Sequence, residues 1–176
     1  MRTLGRSKQI LVIGSDGDHC SESAYHAAYE IGKEVAKKGA ILLTGGLGGV
    51  MEAASHGAKD TGGFVVGIVP KDEKSQANPY CDVVIATGLG YARDFLTAYS
   101  ADAIILVEGG AGSLIEAAVA YQKNIPIVAL KGSGGIADKI AGTYFDDRKI
   151  ESVLSGGSPQ TVVAEALSRI EPPKSD

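Results

Sequence analysis

The chain has 176 residues, of which 44% are hydrophobic and 22% are charged, and this balance excludes general disorder. A formal net charge of −4 leaves no excess of cations to neutralise phosphates, so we expect no nucleic-acid partner. Its two cysteines, Cys20 and Cys81, form no disulfide ladder or zinc motif, and no apolar run is long enough for a membrane helix. We therefore expect a cytoplasmic protein with no metal site and no membrane partner.

Short apolar runs alternate with helical patterns along almost the whole chain. Strands are predicted at 9–13, 40–43, 64–69, 83–86, 103–107 and 126–130. Helices are predicted at 21–38, 49–59, 92–100, 113–121, 136–141 and 162–170. Apolar strands that are each followed by a helix indicate a parallel sheet covered on both faces. The pattern predicts a single doubly wound, Rossmann-like α/β domain of three layers over 1–171, with a disordered tail at 172–176.

Glycine supplies 24 residues, about twice its usual share, and many of them lie in two related motifs. Residues 44–54 read TGGLGGVMEAA and residues 108–118 read EGGAGSLIEAA, so both segments contain GGxGxxxEAA directly after a strand. Glycine leaves the backbone open to a ligand, and the next helix offers free N–H groups and the positive end of its dipole. We expect an anion such as phosphate at the helix starts near Gly48 and Gly112, although close packing of strand on helix also explains such turns.

Other nucleotide-binding signatures are absent. The chain has no GxxxxGK[ST] sequence, which excludes a P-loop NTPase. The turn after the first strand reads GSDGDH and lacks GxGxxG, and no acidic residue follows the second strand to bind a ribose, so an ordinary NAD site is not expected. The candidate ligand-binding residues are Gly14, Ser15, Gly45, Gly46, Gly48, Gly49, Glu108, Gly109, Gly110, Gly112 and Ser113.

Purely structural roles compete for the polar residues of these motifs. Ser113 and Glu116 have the S-x-x-E spacing of a capping box, and spacing alone favours helix capping for Glu116 and for the equivalent Glu52. Arg93 could be a surface cation paired with Asp94. The three histidines show no metal-ligand spacing, and we expect structural or solvated roles for them; they are His19, His26 and His56.

The order of the motifs resembles the LOG-like family, which is often labelled "possible lysine decarboxylase". The matching segments are GS after the first strand, TGG-x-GG-x-ME, VVGIVP and YARDFLTAYSADAIILVEGGAGSLIEA, and they run from about Gln9 to Leu130. The family signature is PGGxGTxxE, with an arginine fifteen residues before its first position. Arg93 lies at this spacing before Glu108.

The resemblance implies a Rossmann-like nucleotide-binding domain that forms a homodimer or a higher homo-oligomer. Members with the full motif are phosphoribohydrolases that cleave the N-glycosidic bond of nucleoside 5′-monophosphates, and their essential residues would fall on Arg93 and Glu116. The decarboxylase label has no physical support, because that chemistry needs a pyridoxal-binding lysine and neither glycine motif contains one.

Three departures from the family signature bear on function. Ser113 replaces threonine and keeps a hydroxyl, whereas Glu108 replaces proline and Asp94 replaces lysine, which adds two anions near a bound phosphate. These departures resemble a divergent branch of the family that includes the molybdenum-cofactor carrier proteins. Two hypotheses follow: a binding protein for a nucleoside monophosphate or a phosphorylated pterin, with no resident cofactor, or a phosphoribohydrolase.

The strand and helix around the second motif place two carboxylates near one cleft. Glu108 ends a strand and Glu116 lies about one turn into the next helix, so we expect one of them to have a raised pKa unless Arg93 neutralises it. Two substitutions suggested by the sequence would separate the two hypotheses: Glu116→Gln, and Glu108→Pro, which would restore the family signature. Small residues in the helices at 92–100 and 113–121 suit packing across a two-fold axis and agree with a homodimer.

Overall fold

The computed structural model describes residues 6–170, and the predicted tail lies outside them. The strands are β1 (Gln9–Gly14), β2 (Ile41–Thr44), β3 (Val65–Val69), β4 (Val83–Ala86), β5 (Ala103–Val107), β6 (Ile127–Leu130) and β7 (Leu154–Gly156). The helices are α1 (Glu22–Lys37), α2 (Val50–Asp60), α3 (Arg93–Tyr99), α4 (Ala111–Gln122), α5 (Gly135–Ile140) and α6 (Pro159–Ser168). Short 3₁₀ turns lie at Lys74–Gln76 and Gly90–Ala92.

All seven strands pair in parallel, in the order β4-β3-β2-β1-β5-β6-β7. Alternate residues of β1 face opposite layers. Ile10 and Val12 pack with residues of α1, α2 and α6, whereas Leu11 and Ile13 pack with residues of α3, α4 and α5. The predicted Rossmann-like α/β fold with three layers is therefore confirmed. Within residues 6–170, no helix combines the length and the apolar character that crossing a membrane requires.

The differences from the predicted elements have local causes. Strand β7 was not predicted, because its three residues are too few to show a period; it pairs with β6 through Val128 and Leu154. Helix α4 begins at Ala111, two residues earlier than predicted, since it includes Gly112, a residue that disfavours helix. Helix α6 begins at Pro159, where a capping box between Ser158 and Thr161 starts the helix before its apolar pattern does.

The strand order reverses between β1 and β5: β2, β3 and β4 extend the sheet on one side of β1, and β5, β6 and β7 extend it on the other. The β-strand register pairs Gly14 with Val107, so the turns that follow these two residues lie side by side at the carboxyl edge. A Cβ at Gly14 would lie 2.2 Å from the Val107 carbonyl oxygen, so only glycine fits at this contact. In open parallel sheets, such a reversal forms the crevice in which ligands bind.

Helices α1 and α2 touch through their backbones at two glycines. A Cβ at Gly32 would lie 1.9 Å from the Ala54 carbonyl oxygen, and a Cβ at Gly57 would lie 1.9 Å from the Tyr29 carbonyl oxygen. Neither residue has a positive φ, so the close approach of the helices is what requires glycine. This contact positions α2, and with it the turn after β2.

We predict that Gly32→Ala and Gly57→Ala each lower the free energy of unfolding by about 1–3 kcal/mol, because the added methyl forces the helices apart. Helix propensity alone predicts the opposite sign, a gain of about 1 kcal/mol. Urea denaturation of both variants distinguishes the two effects, and an increase in stability would contradict the backbone contact.

Candidate functional site

A cleft of about 1120 Å³ opens at the carboxyl edge of the sheet, over the crevice between β1 and β5. Its walls come from the segments after β1, β2, β3 and β5 and from the N-terminal parts of α3 and α4. Most of the predicted site residues line it: Gly14, Ser15, Gly45, Arg93, Glu108, Gly109, Gly110, Gly112, Ser113 and Glu116.

Three predicted residues of the first glycine motif do not line the cleft. Gly46, with φ of 74°, packs against Val69, and Gly48 lies against Gly17. Gly49, with φ of 68°, is the N-cap of α2 and lies beneath the backbone of residues 15–16, where the Val50 N–H donates to the Ser15 carbonyl at 3.0 Å. The turn after β1 thus covers the start of α2, so the two motifs have different environments.

The second glycine motif presents an open helix start to the cleft. Gly110 is the N-cap of α4 and forms no side-chain cap, and none of the N–H groups of residues 110–113 donates to another group within residues 6–170. A Cβ at Gly110 or at Gly112 would meet no atom within 4 Å, and neither residue has a positive φ. Neither packing nor backbone conformation requires these two glycines, which leave the helix start accessible from the cleft.

Two serine hydroxyls fix this helix start against β1. The Gly109 N–H donates to Ser15 Oγ at 3.1 Å, and Ser113 Oγ donates to the Gly14 carbonyl at 3.2 Å. Both serines are buried. Because the Ser113 hydroxyl proton is used within the protein, the free donors of this helix start are its backbone N–H groups.

Glu108 connects the end of β5 to the segment that leads into α5 and to the N-cap of α1. Its N–H donates to Ser133 Oγ at 2.8 Å, its carbonyl accepts from Ala137 N at 2.9 Å, and its Oε2 accepts from the Ser21 N–H at 3.3 Å. The φ of Glu108 is 53°, a value that the proline ring excludes, and proline also lacks the N–H. Glu108→Pro, one of the two substitutions that the sequence suggested, is therefore incompatible with this backbone.

Glu116 lies in the second turn of α4 and does not cap the helix. Because α4 begins at Ala111 with Gly110 as its N-cap, Ser113 is inside the helix, and the capping prediction for Glu116 is wrong. Its side chain is 8% exposed, and the carboxylate accepts from Thr97 Oγ1 at 2.6 Å, with Arg93 Nη1 at 3.4 Å. Within residues 6–170, Glu52 also forms no capping bond to the Gly49 N–H, so the second capping prediction is wrong as well.

Arg93 lies between two buried carboxylates. Its Nη1 is 3.3 Å from Asp94 Oδ1 and 3.4 Å from Glu116 Oε1, and its side chain is 11% exposed. A Cβ at Gly45 would lie 2.8 Å from the guanidinium nitrogens, so glycine makes room for the arginine there. The predicted Arg93–Asp94 pair is present, but it lies in the cleft wall and not on the open surface.

The two carboxylates share one cation, which affects their protonation. Burial raises the pKa of Glu116 to about 7, the Thr97 hydroxyl and Arg93 oppose this shift, and Asp94 adds to it. Burial also raises the pKa of Asp94, while Arg93 lowers it. A raised carboxyl pKa was predicted, but the neighbouring acid that contributes to it is Asp94 and not Glu108.

Sequence reasoning missed several residues of the cleft. Asp16 follows β1, and its Oδ1 lies 2.7 Å from Nδ1 of His19, a residue expected to have no role in a site. Lys71 follows Pro70 after β3, and Tyr91 precedes α3 with 87% of its surface exposed. All four residues lie at the carboxyl edge of the sheet. Their sequence positions, just after a predicted strand or just before a predicted helix, could have identified them as candidate site residues.

Residues 7–163 match the SLOG cluster4 family. The chain belongs to this family. A protein of undescribed function from Archaeoglobus fulgidus is 45% identical over 70% of this chain and 80% of its own. The cytokinin riboside 5′-monophosphate phosphoribohydrolase LOG of Oryza sativa is 33% identical over 63% of this chain but only 47% of its own length.

Solved structures of molybdenum cofactor proteins have the same fold over nearly their whole length. The molybdenum cofactor binding protein of Rippkaea orientalis superposes with a TM-score of 0.83, at 30% identity, over 94% of this chain and 99% of its own. The molybdenum cofactor carrier protein of Chlamydomonas reinhardtii gives a TM-score of 0.79, at 33% identity, over 94% and 98%. The resemblance to the LOG-like family and to these carriers is thereby confirmed.

We predict that Glu116→Gln changes the pH dependence of stability. Because the folded-state pKa is raised from 4.5 to about 7, protonated Glu116 stabilises the fold below pH 4.5, and this contribution is lost as the pH rises through 7. A shift of this size corresponds to about 3 kcal/mol. Denaturant unfolding between pH 4.5 and 8 should show the variant gaining stability relative to the native protein by up to this amount.

The matched control is Glu52→Gln, at the equivalent position of the first motif, where the side chain is only partly buried. This control should follow the pH dependence of the native protein. Identical pH profiles for Glu116→Gln and the native protein would contradict the burial argument.

Proposed function

We propose that this protein binds a phosphorylated, nucleotide-like small molecule in the cleft and holds it without turnover, as a carrier does. The phosphate would lie at the start of α4. The observation that carries this proposal is the set of N–H groups at 110–113 without protein partners, next to two glycines that no packing requires. Such a helix start favours an anion through both its hydrogen bonds and its dipole.

Side chains around the cleft support a ligand with one anionic end and one planar end. Arg93 and Lys71 are the cations of the lining, and only one nitrogen of the Arg93 guanidinium contacts carboxylates. Glu108 and Asp16 offer carboxylate oxygens, which would accept hydrogen bonds from the ring N–H groups of a purine or a pterin. Tyr91 and Ile115 add apolar surface against which a ring would pack.

The relatives favour a pterin cofactor as the ligand class over a nucleoside monophosphate. The molybdenum cofactor binding and carrier proteins match this chain along 98–99% of their length, whereas the rice phosphoribohydrolase matches along less than half of its own. Asp94, which occupies the place of a family lysine, also adds a second carboxylate beside Arg93. We therefore place the carrier hypothesis first.

One observation favours phosphoribohydrolase activity as the second hypothesis. Cleavage of an N-glycosidic bond builds positive charge on the sugar and needs a proton for the leaving base. Glu116 lies beside Arg93 in the cleft wall, and its pKa of about 7 suits either stabilisation of that charge or proton transfer near neutral pH. Water would add to C1′ as the base leaves, which gives ribose 5-phosphate.

We predict that Gly112→Ala weakens the binding of AMP at least about tenfold, because the methyl would occupy the space in front of the free N–H groups. The same change should stabilise the unliganded protein by about 0.5–1 kcal/mol, since alanine favours helix over glycine. Calorimetric titration and thermal unfolding measure the two effects separately.

Gly48→Ala is the matched control, because Gly48 is the equivalent residue of the first motif and lies outside the lining of the cleft. This variant should bind AMP like the native protein. Equal weakening by both variants, or by neither, would count against a phosphate at the start of α4.

Turnover is tested directly by incubating the protein with AMP and measuring free adenine and ribose 5-phosphate. The carrier hypothesis predicts bound AMP that is recovered intact. Release of adenine that Glu116→Gln abolishes would overturn it in favour of the phosphoribohydrolase hypothesis.

The expected homodimer stays a proposal. Its support is a group of exposed large apolar residues on α3, namely Phe95, Leu96 and Tyr99. Small-angle scattering at micromolar concentration should give the mass of two chains, and a monomeric mass would contradict the proposal.

A further inference from the structure

We propose that the cleft takes up one proton when it binds a doubly charged anion, and that Asp94 and Thr97 position this proton on Glu116. The inference rests on the proposed function, because it concerns the same ligand and the same cleft. It goes further in assigning roles to two residues of α3 and in making ligand retention depend on pH.

The positive charge of Arg93 is outnumbered by the carboxylates beside it. One guanidinium faces two carboxylates, those of Asp94 and Glu116, and both side chains are less than a tenth exposed. If both acids are ionised, this cluster carries one negative charge in a poorly solvated place. A bound dianion would add to that charge, and the least costly response is to protonate one carboxylate.

The Thr97 hydroxyl can form a hydrogen bond with Glu116 in either protonation state of the acid. Its Oγ1 lies 2.9 Å from the Asp94 carbonyl oxygen and 2.6 Å from Glu116 Oε1, but a hydroxyl has only one proton to donate. When Glu116 is ionised, Thr97 donates to it. When Glu116 is protonated, Glu116 donates to Thr97, and Thr97 donates to the Asp94 carbonyl. The hydrogen bond between Thr97 and Glu116 is therefore kept in both protonation states, so the proton can be gained or lost without repacking.

Arg93 connects this cluster to the ligand. Its contacts to Asp94 and Glu116 are long, at 3.3 and 3.4 Å, and it lines the cleft. Each hydrogen bond that Arg93 donates to an incoming anion weakens its hold on Glu116, which favours the protonated acid. The other ionisable residues of the cleft lining are Asp16, His19, Lys71, Tyr91 and Glu108, and of these His19 is the alternative acceptor of a proton near neutral pH.

The stoichiometry gives a measurable pH dependence. One proton is consumed for each anion bound wherever free Glu116 is ionised, and no proton is consumed where Glu116 already holds one. With the Glu116 pKa at about 7, uptake should approach one proton at pH 8 and fall towards zero at pH 6. The affinity should then decrease about tenfold per pH unit above pH 7.

The experiment is calorimetric titration in two buffers of different ionisation enthalpy, with AMP and with inorganic sulfate as probes. Sulfate keeps both charges throughout this range, whereas a phosphate monoester titrates near pH 6, so sulfate isolates the proton taken up by the protein. We expect uptake close to one proton per site at pH 8 for both probes.

Four variants test which side chain binds the proton. Glu116→Gln should abolish the uptake and the pH dependence of affinity. Thr97→Val should move the fall in affinity to higher pH, because the hydroxyl that stabilises ionised Glu116 is gone, whereas Thr97→Ser should restore the native profile. His19→Asn should keep the uptake.

Two kinds of failure are distinguishable. Binding without proton uptake, uptake that survives Glu116→Gln, uptake lost in His19→Asn, or an unshifted profile in Thr97→Val would overturn this inference and leave the proposed function standing. If neither AMP nor sulfate binds at any pH between 6 and 8, the inference and the proposed function both fail.

Discussion

The contact between the carboxyl ends of β1 and β5 organises the site. Gly14 lies directly against the Val107 carbonyl, and the hydroxyls of Ser15 and Ser113 fasten the turn of the second glycine motif to β1. These two hydrogen bonds hold the start of α4 at the floor of the cleft and leave its N–H groups at 110–113 free. A backbone donor set that is fixed before the ligand arrives binds an anion with little reorganisation.

The two glycine motifs illustrate what the sequence can and cannot predict. Their pattern predicted strand, turn and helix at both places, and the fold and most of the cleft lining followed from it. The pattern could not reveal that residues 15–17 cover one helix start and leave the other open, because that difference comes from a neighbouring turn. Similarly, spacing suggested a capping role for Glu116, whereas its burial against Thr97 depends on how α3 packs on α4.

The balance between carrier and hydrolase depends on the cluster of Arg93, Asp94, Thr97 and Glu116. The arginine and glutamate that resemble the family's essential pair are present and in contact. Asp94 and the Thr97 hydroxyl both affect the charge of this pair, since one guanidinium faces two acids and Thr97 forms a hydrogen bond with Glu116. Under the proposed function, the cleft binds a phosphate while its acid responds to pH, which suits a protein that holds and later releases its ligand.

We propose that α4, and not α2, supplies the anion site. Amide ¹H–¹⁵N NMR spectra recorded during titration with AMP test it at single residues, because an N–H that donates to a phosphate shifts strongly downfield. The account predicts the largest downfield shifts at residues 110–113, with residues 49–52 at the start of α2 little changed. Shifts concentrated at the start of α2, or at the opposite edge of the sheet, would contradict it.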